Sequence, residues 1–205
     1  MTITQLQTTK RKRVSVYVDG EFLFAVEPDA LLRSGLTEGC ETDEQQLNEL
    51  LRDSRLIEAK RRALNMLSAR DYSGSVLAER LSRKTGAESA NAAVQRMQEL
   101  GLIDDEKYAL RCALQLFEKG YAQRRIRFEL QKRKLSDEVI SNALEQIDFE
   151  DGAEKAAQLL LQKFSSLSTE SDRRKAFAFL ERYGYNYSDI NTAIHRLYRA
   201  DNDDF

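Results

Sequence analysis

An internal repeat constrains this chain more than any other feature. Tyr72, Leu77 and Leu81 recur as Tyr121, Ile126 and Leu130 at a constant offset of 49 (121−72). Leu130, Ile140, Ala143 and Leu144 then recur as Leu180, Ile190, Ala193 and Ile194 at an offset of 50 (180−130). A period of this length, with apolar residues at helical spacing, marks stacked supersecondary units. In the first copy Ser89, Met97 and Leu100 align with Ser136, Leu144 and Ile147 at an offset of 47 (136−89), which predicts an inner turn two residues longer there. Turns tolerate such insertions.

Each copy reads as three helices. The expected spans are Leu56–Arg70, Ser73–Lys84 and Ser89–Leu100; Asp105–Lys119, Ala122–Arg133 and Ser136–Ile147; and Asp151–Phe164, Thr169–Tyr183 and Tyr187–Arg199. Gly86, Gly101, Gly120 and Gly184 follow helical runs, where a left-handed residue closes a helix. Ser73, Ser89, Ser136 and Thr169 precede runs and can accept from the first free amides. Charged residues make up 32% of the chain and aromatics 8%, with one Pro and no Trp. That balance suits exposed amphipathic helices better than one large core. A unit under 50 residues buries little apolar area alone, so neighbours must lean on one another. The fold class predicted is mainly α: three tandem three-helix repeats in an elongated curved array with a short N-terminal β-hairpin extension.

The start of the chain has a different period. Val14, Val16 and Val18 alternate, Asp19-Gly20 intervenes, and Phe22, Phe24 and Val26 alternate again. Asp-Gly suits a two-residue type I′ turn, which needs positive φ at both positions, so a hairpin is predicted. Pro28 ends it, a short helix follows over Ala30–Ser34, and Thr42 with Gln45 has capping-box spacing ahead of a long helix that breaks near Ser54. Lys10 to Arg13 reads as a flexible basic lead. The implied domains are 1–55, then repeats at 56–104, 105–149 and 150–205, the last with a disordered acidic tail at Asp201, Asp203 and Asp204.

With 32 basic against 34 acidic residues the net charge is −2, so no global field draws the protein to nucleic acid or membrane. Any attraction must be local. Cys40 and Cys112 lie far apart and suggest neither a disulfide framework nor a metal cluster. No stretch reaches the roughly 20 apolar residues of a membrane span, and no secretory signal precedes the hairpin. A cytoplasmic monomer without cofactor or metal is expected. His195 is the one histidine and reads as a helix residue, and Asp104-Asp105 as a helix start whose carboxylates favour the positive end of the dipole. With no phosphate loop or nucleophile elbow, an enzyme is not expected. The aromatics Tyr108, Phe117, Phe128, Phe164, Phe177, Phe179 and Tyr183 occur at helical spacings and read as core, and Tyr183, Tyr185 and Tyr187 around Gly184 as helix-turn packing.

The densest local charge runs from Tyr121 to Leu135, where Arg124, Arg125, Arg127, Lys132, Arg133 and Lys134 face Glu129 alone. Guanidinium forks bind phosphate and carboxylate in two-point fashion, so a polyphosphate backbone or an acidic protein groove could use this stripe. Lys60, Arg61 and Arg62 form a weaker group near Glu58, and Arg173, Arg174 and Lys175 another near Glu170 and Asp172. A three-helix unit also matches a helix-turn-helix module by helix count, which keeps a stand-alone DNA-binding regulator as the alternative.

Gly101-Leu102-Ile103-Asp104-Asp105 with Tyr108-Ala109, then Lys119-Gly120, Arg125-Ile126 and Glu129-Leu130, resembles the RecX regulatory proteins. Leu67, Arg70, Ser73, Leu77 and Leu81 agree in the first copy. Val76 departs where that family has an acidic residue, and Lys134 where it has glycine before a turn. The resemblance implies a non-catalytic regulator that binds the RecA recombinase, in the groove of its filament on single- or double-stranded DNA, and limits filament growth or activity in recombination, repair and SOS control.

Overall fold

A computed structural model describes the backbone of residues 1–203 and the side chains of residues 1–197. It contains a three-stranded antiparallel sheet and, among the described residues, ten helices. The chain divides into two compact units, Met1–Asp104 and Asp105–Phe205.

In the first unit, β1 (Ile3–Thr8), β2 (Val14–Val18) and β3 (Glu21–Val26) pair in that order. The predicted hairpin is β2–β3, and its Asp19-Gly20 turn has φ of 50° and 87° as type I′ requires. β1 was not expected. A bulge between Ile3 and Gln5 breaks its period, so its apolar residues Ile3 and Leu6 sit three apart and give no alternation. The basic segment before β2 is a closed turn rather than a flexible lead. Thr9 N–H donates to Arg13 O at 2.7 Å, Lys12 N–H to Thr9 O at 2.9 Å, and Lys12 takes a φ of 61°.

Helix α1 (Pro28–Ser34) leads to α2 (Glu44–Ala69), an unbroken helix of 26 residues. Its capping box is Asp43 with Gln46, one residue beyond the predicted pair. The expected break at Ser54 is absent because Ser54 is buried and its hydroxyl accepts from Glu27 N–H at 2.8 Å, which satisfies it without disturbing the helix. Val14, Val16, Val18 and Val26 pack on Leu47 and Leu50 of the first half of α2. The second half supplies Ala59 and Ala63 to a separate core with α3 (Gly74–Thr85) and α4 (Ala87–Glu99).

The second unit holds two such cores. One joins α5 (Asp105–Glu118), α6 (Gln123–Lys132) and α7 (Asp137–Glu145); the other joins α8 (Gly152–Lys163), α9 (Glu170–Tyr183) and α10 (Tyr187–Asp203). Burial repeats with the sequence. The buried pairs are Ala59/Ala63, Ala109/Ala113 and Ala156/Leu160 on the first helices, Leu77/Leu81, Ile126/Leu130 and Ala176/Leu180 on the second, and Ala90/Val94, Ile140/Leu144 and Ile190/Ile194 on the third. Truncating a fully buried member such as Leu130 to Ala would cost about 2–5 kcal/mol.

This pattern corrects the alignment of the first copy. Ala90 matches Ile140 and Ala93 matches Ala143, so α4 follows the offset of 50 and its inner turn is one residue shorter than the others, not two longer. Ser89 is buried within α4 and caps nothing. Gly86 closes α3 and opens α4 as a single residue, which removes one position from the connection. Ser73, Ser136 and Thr169 cap as predicted, accepting from Val76, Val139 and Asp172 N–H. α10 carries helical backbone through Asp203, so Asp201 and Asp203 are not irregular tail, while Asp204 lies outside the described residues.

Candidate functional site

Five of the six residues of the Arg124–Lys134 stripe lie on or just after α6, and Lys134 follows in the turn to α7. Ile126 and Leu130 hold the inner face of α6 in the core, which turns the charged positions outward. Glu129 neutralises more of the stripe than its sequence count suggests. It pairs with Arg125 at 2.7 Å, Lys132 at 3.5 Å and Arg133 at 3.9 Å. Arg133 also donates to Glu129 O at 2.6 Å, and Arg127 points its guanidinium at Ser141 Oγ at 3.4 Å. Such contacts position side chains more than they stabilise them, since half-exposed pairs contribute about 0.2–1 kcal/mol.

Arg124 differs from its neighbours: it is exposed and makes no hydrogen bond or ion pair among the described residues. Lys132 and Lys134 are also exposed. Between Arg124 and Lys132, one turn from each, stands Phe128, 47% exposed. The Arg125 guanidinium lies 5.4 Å and the Lys132 ammonium 4.5 Å from its ring centroid. The two cations are attracted to the ring face, a contact of about 0.5–1 kcal/mol at an exposed site. Helical spacing assigned Phe128 to the core. Its repeat equivalents, Glu79 and Ala178, are exposed, and that register was the signal that could have placed it outside.

Lys60, Arg61 and Arg62 lie on α2 in the other compact unit. Two of them are engaged. Arg61 donates to Glu27 at 3.0 Å and Arg62 to Glu58 at 2.6 Å, while Arg13 lies 4.0 Å from Glu27 and 3.8 Å from Glu58. Arg13 also donates to Ala25 O. Both glutamates are buried, so this network fastens β3 and the β1–β2 turn to α2, and a buried carboxylate left without its partners is costly. Lys60 is half-buried. In the third group Arg174 pairs with Glu170 at 2.6 Å and Lys175 with Asp172 at 3.3 Å, and Arg173 donates to Ser168 O at 2.9 Å. Thr169 and Lys175 hold the Asp172 carboxyl below its ordinary range.

The aromatic trio around Gly184 is mostly structural. Tyr185 is buried and its hydroxyl donates to Gly120 O at 3.0 Å, and burial pushes its pKa up to about 12, with Asp189 and Tyr183 adding to the effect. Tyr183 stacks on Tyr121 with centroids 4.7 Å apart, and Ala122 N–H donates to Tyr183 O at 2.9 Å. Gly184 has a φ of 92°, and a Cβ there would stand 2.6 Å from the Arg125 Cβ and 2.7 Å from its backbone nitrogen. Only glycine lets the α9–α10 turn approach the start of α6 this closely. Tyr187 is exposed and His195 lies on the solvent side of α10. No group of three His, Cys, Asp or Glu able to hold a metal occurs among the described residues, and no helix there is long and apolar enough to cross a membrane.

The class these features define is a mainly α protein of three-helix bundles that presents charged helix faces, preceded by a small antiparallel sheet. The family model for the "Regulatory protein RecX N-terminal domain" matches residues 1–43, and that for "RecX, second three-helix domain" matches residues 104–144. The regulatory protein RecX of Clostridium perfringens strain SM101 is 29% identical over 95% of each chain, and that of Bacillus subtilis is 26% identical over 98% of this chain and 79% of its own. A crystal structure of regulatory protein RecX superposes with a TM-score of 0.64 over 97% of this chain and 98% of that one, at 23% identity. RecX from Lactobacillus salivarius gives 0.59 over 70% of this chain and 96% of its own, at 22% identity. Over nearly its whole length the chain is similar to the RecX regulatory proteins.

Proposed function

We propose that this chain binds RecA recombinase filaments assembled on DNA and restrains their growth or activity, without catalysis, in the cytoplasm. The observation that carries the reading is the outer face of α6, where Arg124, Phe128 and Lys132 stand one turn apart and Lys134 follows. Arg124, Arg125, Arg127, Lys132, Arg133 and Lys134 are assigned to the partner contact, with Lys60, Arg61 and Arg62 as a second, weaker patch. The repeats at 56–104, 105–149 and 150–205, with 1–55 as an extension, would let one chain touch more than one filament subunit. Linked contacts then add through effective concentration, and a bound chain favours one filament state over another.

Added to RecA on single-stranded DNA, the protein should lower ATP hydrolysis and strand exchange. No change at several-fold molar excess would sink the reading. Arg124→Ala combined with Lys132→Ala should raise the half-inhibitory concentration about five- to tenfold with an unchanged helical spectrum, as expected when exposed interface charges are lost. An unaltered inhibition curve would remove α6 from the contact.

A further inference from the structure

We propose that the second unit carries a nucleotide socket, which shares Arg124 with the outer face of α6 and is otherwise distinct from it, that accepts one unpaired nucleotide of a single strand. A cleft of about 310 Å³ lies where the first turn of α6 meets the end of α5, the start of α8 and the α9–α10 turn. That volume is at the lower end of small-ligand sites, enough for one nucleotide unit and no more.

Three chemistries meet there. Arg124 and Lys155 supply positive charge, Phe117 and Phe149 supply aromatic surface, and Asn186 and Asp189 supply a polar edge. Arg124 is uncommitted among the described residues. The Lys155 ammonium lies 4.2 Å from the Phe117 centroid and donates to Asp148 O at 3.3 Å, which leaves it donors to spare. Phe117 and Phe149 meet edge-to-face, with centroids 5.4 Å apart. Asp189 is held in place, its N–H donating to Asn186 Oδ1 at 2.8 Å and its carboxylate accepting from Asn186 Nδ2 at 2.9 Å. Ala122, which precedes α6, supplies no side-chain cap, and the positive end of the helix adds to the cationic side.

An acidic peptide would use the two cations but gain nothing from the two rings or from the Asp189 acceptor. A nucleotide uses all three chemistries. Its phosphate takes the cations, its base lies against the aromatic surface, and a base amino group donates to the Asp189 carboxylate. A duplex keeps its bases paired and stacked and cannot present one without the cost of flipping it.

This goes beyond the filament reading and is tested without RecA. A labelled mixed-sequence DNA ten-mer, its abasic analogue, the matching duplex, AMP and an oligoglutamate are titrated against the whole protein at fixed salt. The ten-mer should bind about tenfold tighter than the abasic strand and the duplex, AMP should compete with it, and oligoglutamate should not. Arg124→Ala and Lys155→Ala should each weaken ten-mer binding several-fold, and Lys175→Ala, on α9, should not. Asp189→Asn should narrow the gap between the ten-mer and a thymine-only strand, which lacks amino groups. Equal affinity for normal and abasic strands overturns the socket, as does competition by oligoglutamate or indifference to Lys155→Ala. The comparison of normal with abasic strand uses the unaltered protein, so no folding defect can imitate its result.

Discussion

Tyr185 couples the packing of the second unit to pH. Burial holds its phenol protonated up to about 12, while in the unfolded chain it ionises near 10. The folded pKa is raised, so the stabilisation is fully present below pH 10 and is lost as pH rises through 12, where the unfolded state alone releases the proton first. Denaturant midpoints measured from pH 8 to 12 should fall across that interval, and Tyr185→Phe should flatten that part of the fall while losing about 1 kcal/mol at neutral pH with the bond to Gly120 O. An unchanged alkaline profile in the variant would place the titration elsewhere. Residue-level reading of the sequence succeeded where chemistry forces the geometry, as at Asp19-Gly20 and at the caps Ser73 and Ser136. It failed at Phe128, because helical spacing fixes which residues share a face but not which face is inward. Only comparison with Glu79 and Ala178 across the repeat carries that information.

At the scale of elements, the turns between the second and third helices of each bundle show what the repeat can and cannot specify. Gly86 makes the first of these turns alone, and Gly184 occupies the left-handed position of the third. Lys134 occupies the corresponding position of the second with a φ of 55°, a conformation that costs a residue with a Cβ about 1–2 kcal/mol. Glycine would remove that cost and add some unfolded-state entropy. Lys134→Gly should therefore stabilise the protein by about 0.5–1 kcal/mol, read as a higher denaturant midpoint with an unchanged slope; a lower midpoint would mean that contacts of the Lys134 side chain outweigh the backbone strain. The same turns explain why helix spans were legible to within a few residues while the first copy was misaligned. Ser89 resembles a cap by residue type, but the buried positions Ala90, Val94 and Met97 fix the register, and burial is a tertiary property. β1 escaped for a related reason: a bulge erases the alternation by which strands are recognised. The face of α6 was legible as a charge cluster, whereas the cleft beside it was not, since Phe117, Phe149, Lys155 and Asp189 come together only when two bundles pack.

For the molecule as a whole, the net charge of −2 sets the scale of any electrostatic attraction. At physiological ionic strength fields fade within about 8 Å, so a partner docked on α6 would feel the local charge rather than the overall one. Within the stripe the single carboxylate of Glu129 is shared by Arg125, Lys132 and Arg133, so the charge presented outward is that of Arg124 and the exposed Lys132 and Lys134. About three cations meeting phosphate would release about two to three counterions, which predicts a moderate salt dependence. Raising salt from 50 to 200 mM should weaken binding to preformed RecA–DNA filaments roughly ten- to fortyfold. Arg124→Ala with Lys132→Ala should reduce the log–log slope by about one to two. A slope that survives the double substitution would move the contact off α6, for instance to Lys60 on α2, and a binding constant indifferent to salt in the unaltered protein would point instead to the apolar surface of Phe128 as the main source of affinity.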